Sequence, residues 1–254
     1  MNDKKNLTLK ETFELAAKNH QNNKLNVAQD LYNQILKIDP SHVSTLNNLG
    51  VIFKNLKEHQ KARDCYEKVI ELDPNHVDSH NNLGMLYVNL KEHQKAKDCY
   101  EKAIKINANH VDSHNNLGII FQELEEYQKA KDCFEKAIAI NPNYVNAHNN
   151  LGIIFQELEE YQKAKDCFEK AIAINPNYVN AYYNLGIIFQ ESGEYQKAKD
   201  CYEKAIKINP NYVKAHNSLG VIFNQLREFK KAKDCFEKAM AINPDFIAPI
   251  KNIS

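Results

Sequence analysis

Apolar residues recur along this chain at helical spacing, in stripes separated by short polar breaks. Between Val43 and Leu56, the residues Leu46, Leu49, Phe53 and Leu56 fall on one face of a helix. Lys57-Glu58 interrupts that stripe. Ala62, Tyr66, Val69 and Ile70 then form a second one, which ends at Asp73-Pro74. Proline has no amide hydrogen and disfavours a helical residue before it, so it stops the second helix and fixes the turn. The pattern predicts two antiparallel amphipathic helices of three to four turns each.

The block then starts again. Gly50, Gly84, Gly118, Gly152, Gly186 and Gly220 stand 34 residues apart. Pro40, Pro74, Pro142, Pro176, Pro210 and Pro244 follow the same period, with Ala108 as the lapse. Glycine inside a helix costs about 1 kcal/mol relative to alanine, so its return predicts a close helix approach that a Cβ would block. Ala28, Ala62, Ala96, Ala130, Ala164, Ala198 and Ala232 imply the same on the second helix. One block cannot bury its apolar face alone, whereas stacked blocks share a continuous core. The predicted fold is all-α, an α-solenoid of antiparallel helix pairs. Seven repeats are expected at 9–42, 43–76, 77–110, 111–144, 145–178, 179–212 and 213–246, after a polar tail over 1–8. Residues 247–254 read as the truncated start of an eighth. Such a short piece leaves the last apolar face uncapped, so the chain is expected either to continue in a longer protein or to self-associate through that face.

Composition narrows the functional classes. The 33 basic and 33 acidic side chains cancel, which argues against nucleic acid as partner. No run of 18 apolar residues is present, which argues against a membrane-spanning helix, and the polar start Met1–Asn6 lacks the apolar stretch of a signal peptide. A cytoplasmic location is expected, with a nuclear one left open. Cys65, Cys99, Cys133, Cys167, Cys201 and Cys235 share the 34-residue period. Equivalent positions on stacked helices lie about 8–10 Å apart or more, too far for a disulfide, so these thiols read as small core fillers in a reducing compartment.

The stretches Cys99-Tyr100-Glu101-Lys102-Ala103-Ile104 and Asn115-Asn116-Leu117-Gly118, repeated from Leu9 to Phe246, resemble the tetratricopeptide repeat. That pattern places small residues at repeat positions 8, 20 and 27, aromatics at 11 and 24, and proline at 32. The departures are at position 4, often tryptophan in the family but here Leu46, His80, His114, His148, Tyr182 and His216, and in the first repeat, where Ala16 replaces glycine. The resemblance implies a right-handed superhelix whose first helices line a concave surface with positions 2, 5, 6, 9, 12 and 13.

Position 6 is Asn48, Asn82, Asn116, Asn150 and Asn184, lapsing to Ser218. Position 5 is Asn47, Asn81, Asn115, Asn149, Tyr183 and Asn217, and position 9 is aliphatic from Val51 through Met85 to Val221. Each amide offers two donors and an acceptor, so a row of them can grip the backbone of an extended peptide. The row is similar to the asparagine ladder in the repeat domain of O-linked N-acetylglucosamine transferases, including the pattern A-H-N-N-L-G at Ala147–Gly152. The alternative is that the asparagines bridge neighbouring helices or solvate the inner face. Position 5 is never lysine and position 9 never asparagine, so the two-carboxylate clamp of tetratricopeptide co-chaperones is not expected.

No phosphate-binding glycine loop, G-x-S-x-G elbow or H-E-x-x-H segment occurs. His76 with His80 and His110 with His114 have the i, i+4 spacing of metal ligands, but the pairing follows from positions 34 and 4 of the repeat, and Tyr144, Tyr178 and Tyr212 later replace the first partner. Neither metal nor cofactor is expected. The expectation is a non-enzymatic scaffold that binds a protein or peptide segment in its groove. The alternatives are the substrate-recruiting arm of a larger glycosyltransferase and a self-assembling array. The repeats at Val111–Tyr144 and Val145–Tyr178 differ only at Asp112/Asn146 and Ser113/Ala147, so a bound strand meets chemically equivalent neighbours and is read by backbone and length.

Overall fold

A computed structural model describes residues 7–245. The described residues contain fourteen α-helices and no strand. The first helices of successive pairs are α1 (Leu9–Gln21), α3 (Val43–Asn55), α5 (Val77–Asn89), α7 (Val111–Glu123), α9 (Val145–Glu157), α11 (Val179–Glu191) and α13 (Val213–Gln225). The second helices are α2 (Leu25–Ile38), α4 (His59–Leu72), α6 (His93–Ile106), α8 (Tyr127–Ile140), α10 (Tyr161–Ile174), α12 (Tyr195–Ile208) and α14 (Phe229–Ile242). The fold is an all-α solenoid, and the contacts of the described residues gather into two compact halves divided after Ile120. Residues 247–254, read above as the start of an eighth repeat, lie outside the described residues.

In the N-terminal half, α1 packs on α2, α3 on α4 and α5 on α6; in the C-terminal half α9, α11 and α13 pack on α10, α12 and α14. First helices also touch one another, α1 with α3, α3 with α5 and α9 with α11, whereas no comparable contact between second helices occurs among the described residues. Within each half, then, the first helices occupy the inner side of the stack.

The periodic glycine has a direct cause. A Cβ on Gly50 would stand 2.5 Å from the ring of Tyr66, and one on Gly84 would stand 2.6 Å from Tyr100. The ring at position 24 lies flat on the backbone of the preceding helix. Tyr32, Tyr66, Tyr100, Phe134, Phe168 and Tyr202 are all fully buried there, each burial being worth about 1.5–3 kcal/mol.

The turn inside each pair is closed by one residue in the left-handed region: Asn23, Lys57, Lys91, Glu125, Glu159, Gly193 and Arg227. The next amide then reaches back to an orphan carbonyl at the helix end, as Glu58 N–H does to Phe53 (2.8 Å) and Glu92 N–H to Tyr87 (2.8 Å). Between pairs, the side chain of Asp73 accepts from the amide of Asn75 (3.1 Å), and Asn107 accepts likewise from Asn109 (3.0 Å). The turn holding Ala108 thus keeps its geometry without proline.

Charged residues form a repeated staple over the aromatic at position 11. Tyr87 lies between the guanidinium of Arg63 (5.5 Å) and the ammonium of Lys95 (5.4 Å). In the other half Phe155 lies between Lys131 (5.6 Å) and Lys163 (5.4 Å), and Phe189 between Lys165 (5.1 Å) and Lys197 (5.3 Å). One cation comes from the same repeat and one from the repeat before, so each ring is held across a repeat boundary. Glu92, Glu160 and Glu194 pair with Lys95, Lys163 and Lys197 and orient them. Exposed cation–ring contacts contribute about 0.5–1 kcal/mol each.

Candidate functional site: paired asparagines on the first helices

The paired asparagines of α3, α5, α7 and α9 have different environments at positions 5 and 6. Position 5 is the deeper: Asn81 is 7% exposed, and Asn115 and Asn149 are 4% exposed. Its carbonyl oxygen accepts from the next repeat. Asn82 Nδ2 donates to Asn47 Oδ1 at 3.1 Å, Asn116 to Asn81 at 3.1 Å, and Asn184 to Asn149 at 3.0 Å. Every pair is 35 residues apart. The hydroxyls of Ser79 and Ser113 donate to the same oxygens of Asn47 (3.1 Å) and Asn81 (3.2 Å). The half-buried position-6 side chains Asn82, Asn116 and Asn184 each spend one N–H on this bridge. Asn150 also lies half-buried at position 6, with Asn149 Nδ2 placed 3.4 Å from its carbonyl oxygen.

One lapse at position 5 is matched by a lapse at position 6 of the next repeat. Tyr183 takes position 5 of the sixth repeat, packing its ring on Tyr202 (5.8 Å) and edge-on to Tyr212 (5.4 Å). It offers no amide carbonyl, and the residue one repeat on is Ser218 in place of asparagine. At the other end, Phe13 takes position 5, and Asn48 donates instead to the phenol oxygen of Tyr32 at 3.0 Å. Asn217 Oδ1 is buried with no donor among the described residues.

Position 34 divides the repeats into two kinds. His42, His76 and His110 accept the position-3 amide on Nδ1 at 3.3, 3.2 and 3.3 Å, capping the start of the next first helix. Position 3 is then Thr45, Ser79 or Ser113. Where tyrosine follows, position 3 becomes Ala147, Ala181 or Ala215, and the phenols of Tyr178 and Tyr212 donate to Asn146 (2.9 Å) and Asn180 (3.1 Å). The position-4 histidines His80, His114, His148 and His216 set Nε2 at 2.9–3.0 Å from the backbone carbonyls of Pro74, Ala108, Pro142 and Pro210. The i, i+4 imidazoles therefore hold the turn from two sides, and no cluster of three metal-ligating side chains occurs among the described residues. No helix among those residues is long and apolar enough to cross a membrane.

All six cysteines are free thiols. Burial, with the adjoining aspartate, pushes Cys99, Cys167 and Cys201 up to about 12 and Cys65 to about 11. Such thiols are inert at neutral pH.

Two features of the structure carry a signal in the sequence. Thr8 and Glu11 form a reciprocal capping box at the start of α1, with Glu11 N–H on Thr8 Oγ1 (3.2 Å) and Thr8 N–H on Glu11 Oε2 (2.8 Å); the T-x-x-E spacing signals it. The 35-residue pairing of positions 5 and 6 was visible in the matched lapse at Tyr183 and Ser218.

Tetratricopeptide repeat signatures match residues 77–143, 112–177 and 146–211 in overlapping windows, and 43–76 and 213–246 as single repeats. The chain belongs to the tetratricopeptide repeat family. Comparison with curated protein sequences gives no match. Among solved structures, MamA is 28% identical with a TM-score of 0.56, covering 63% of this chain and 94% of that one. The hetero-tetramer Cut9–Hcn1 of APC/C is similar over 96% of this chain and 48% of that one, at 19% identity and a TM-score of 0.78. YrrB, described as a TPR protein with an unusual peptide-binding site, is 24% identical with a TM-score of 0.55 over 71% of this chain and 93% of that one. At 19% and 24% identity the likeness is one of fold.

Proposed function

We propose that this protein is a non-enzymatic interaction scaffold that holds an extended peptide segment against the first helices of each half. The observation that carries this reading is the uneven use of the position-6 amides. Asn82, Asn116 and Asn184 each commit one N–H to the neighbouring repeat, and an amide nitrogen carries two. The bridge therefore fixes the amide plane at a regular interval and leaves the second N–H to meet a peptide carbonyl. Fixing a donor before binding lowers the entropic cost of the complex. The half-exposed aliphatic residues at position 9 supply apolar contact beside it. The membership in a repeat family and the fold shared with a peptide-binding relative support the same reading.

The test is selection of peptides from a random display library on the wild-type protein, followed by affinity measurements on variants. Asn82→Ala and Asn116→Ala should weaken the selected peptides about ten-fold or more, with helicity retained. Lys102→Ala, on an outer helix, should leave affinity unchanged. Equal affinities across all three variants would remove the groove from the account.

A further inference from the structure

Five lysines among the described residues are half-buried: Lys54, Lys97, Lys131, Lys165 and Lys199. The last four share repeat position 21 on second helices. Each faces a carboxylate one turn on, Glu101, Glu135, Glu169 or Glu203, at 3.9–4.0 Å. Lys54 differs. It holds position 12 in the last turn of α3, on the inner side of the N-terminal half, and has no ion pair among the described residues. Its ammonium instead meets the thioether of Met85 on α5, with Nζ 3.9 Å from Sδ. No carboxylate lies on α3, and the one on α5, Asp78, stands about two turns before Met85, 3.4 Å from the His110 ring. Glu58, just beyond α3, pairs with Lys61. Taking an ammonium partly out of water without a counter-charge costs free energy, and burial holds Lys54 below its ordinary value.

A second donor is aimed at the same sulfur. Asn81, only 7% exposed, sets Nδ2 3.8 Å from Met85 Sδ. The equivalent amides of Asn115 and Asn149 turn instead to the carbonyl oxygens of Asn116 (3.5 Å) and Asn150 (3.4 Å). A thioether is a weak acceptor, so an ammonium and an amide converge on a group that satisfies neither. From Val51 to Val221, position 9 is otherwise valine or isoleucine. Met85 is 37% exposed, and its unbranched, flexible side chain can swing aside. It also follows Asn82 by three residues, which makes the two neighbours on the surface of α5.

We propose that Lys54 and Met85 mark the place on the inner face of the N-terminal half where an aspartate or glutamate side chain of the bound peptide is read. The carboxylate displaces the Met85 thioether and accepts from the Lys54 ammonium, a charge-assisted bond roughly twice as strong as a neutral one. The row of inner asparagines runs on to both sides, with Asn48 on α3 and Asn116 on α7. The strand therefore passes through this place, and a side chain, not a chain terminus, supplies the charge. One charged contact gives the strand a register that a uniform row of amides does not. The proposal rests on the peptide-binding reading given above.

The test uses the full chain with labelled methionine methyl groups and labelled asparagine side chains. The chain has three methionines, Met1, Met85 and Met240, so the Met85 methyl is an isolated reporter, while Asn82 and Asn116 report on the amide row. The probes are Gly-Ser repeat peptides of about eight residues, long enough at ~3.3 Å per residue to span neighbouring repeats. Acetylated and amidated versions carry a central glutamate, glutamine or lysine, and a further one carries glutamine with a free C-terminal carboxylate. The glutamate peptide should saturate the Met85 signal about ten-fold more tightly than the amidated glutamine peptide, and high salt should shrink the difference. Lys54→Gln should abolish the preference and Lys54→Arg should keep it, both with helicity retained. Lys54→Glu should reverse it in favour of the lysine peptide. Equal binding of the glutamate and glutamine peptides, or a preference that survives Lys54→Gln, would overturn the proposal. Tighter binding of the free-carboxylate peptide than of the glutamate peptide would overturn it too. A response at Asn82 and Asn116 that ignores the central residue overturns the charge reading alone. A glutamate-specific response at Met85 without one at Asn82 and Asn116 overturns the amide row and leaves the Lys54 contact.

Discussion

Asn82 donates an amide hydrogen to the side-chain carbonyl of Asn47, 3.1 Å away and 35 residues earlier. Deleting Asn47 takes away the acceptor of Asn82, and deleting Asn82 leaves Asn47 bonded to Ser79 alone, whereas deleting both removes the bond from both sides. A double-mutant cycle with Asn47→Ala and Asn82→Ala should therefore give a coupling of about 1 kcal/mol. Ser79 also donates to Asn47, so the Asn47 single variant should be the more costly. Urea midpoints of the four proteins measure this, and strict additivity would show that the bond contributes nothing.

The matched lapse in the sixth and seventh repeats makes a second cycle. Tyr183 cannot accept an amide hydrogen, and Ser218 stands where asparagine stands in the earlier repeats. Ser218 bonds the Tyr202 phenol, so Ser218→Asn gives an amide that has only that phenol to meet, as Asn48 has Tyr32, and Tyr183→Asn loses ring contacts worth about 0.5–1.5 kcal/mol. Together they rebuild the bridge, and the double variant should recover about 1 kcal/mol of the summed single losses. Thermal unfolding of the three variants decides the point; a double variant as unstable as the sum contradicts it.

These pairs show what the sequence could and could not convey. The helix boundaries were legible because apolar spacing, proline and the polar breaks all act within one repeat. The close approach at Gly84 was legible too, since glycine in a helix needs a reason and the ring of Tyr100 supplies it. The roles of Asn47 and Asn82 were not separable, because the chemistry that makes an amide suitable for a peptide also makes it suitable for a neighbouring helix. Only the packing distinguishes the buried carbonyl of position 5 from the half-buried amide of position 6.

Two glycines should respond differently to the same change. At Gly84 a methyl group would lie 2.6 Å from the Tyr100 ring, so Gly84→Ala should destabilise by about 1–3 kcal/mol through overpacking. At Gly193 nothing lies within 4 Å, but φ is +77°, so Gly193→Ala should cost about 1–2 kcal/mol from backbone conformation alone. Lys57→Gly, at a left-handed residue with φ of 61°, should by the same logic stabilise slightly. Chemical denaturation of each variant tests the ordering, and a neutral Gly84→Ala would refute the packing argument.

The thiols give a pH prediction with a definite sign. Burial raises Cys99, Cys167 and Cys201 from an ordinary value of 9.0 to about 12. Between those values the unfolded chain loses thiol protons that the folded chain keeps, so stability falls as pH rises from about 9 towards 12 and is unaffected by these groups below that window. At pH 8 the native thiols should hold on the order of a thousand-fold less thiolate than unfolded ones. Native alkylation should accordingly be slow and should become fast in urea. Equal rates in both states would contradict the burial.

The most direct measurement is of the side-chain amide of Asn82, whose nitrogen carries two distinguishable hydrogens. In labelled protein one should exchange slowly with solvent because it is bound to Asn47, and Asn47→Ala should release it. The other should exchange freely in the unliganded protein and become protected when a selected peptide is added. Two hydrogens that exchange alike, before and after peptide, would contradict the claim that this amide is anchored on one side and offered on the other.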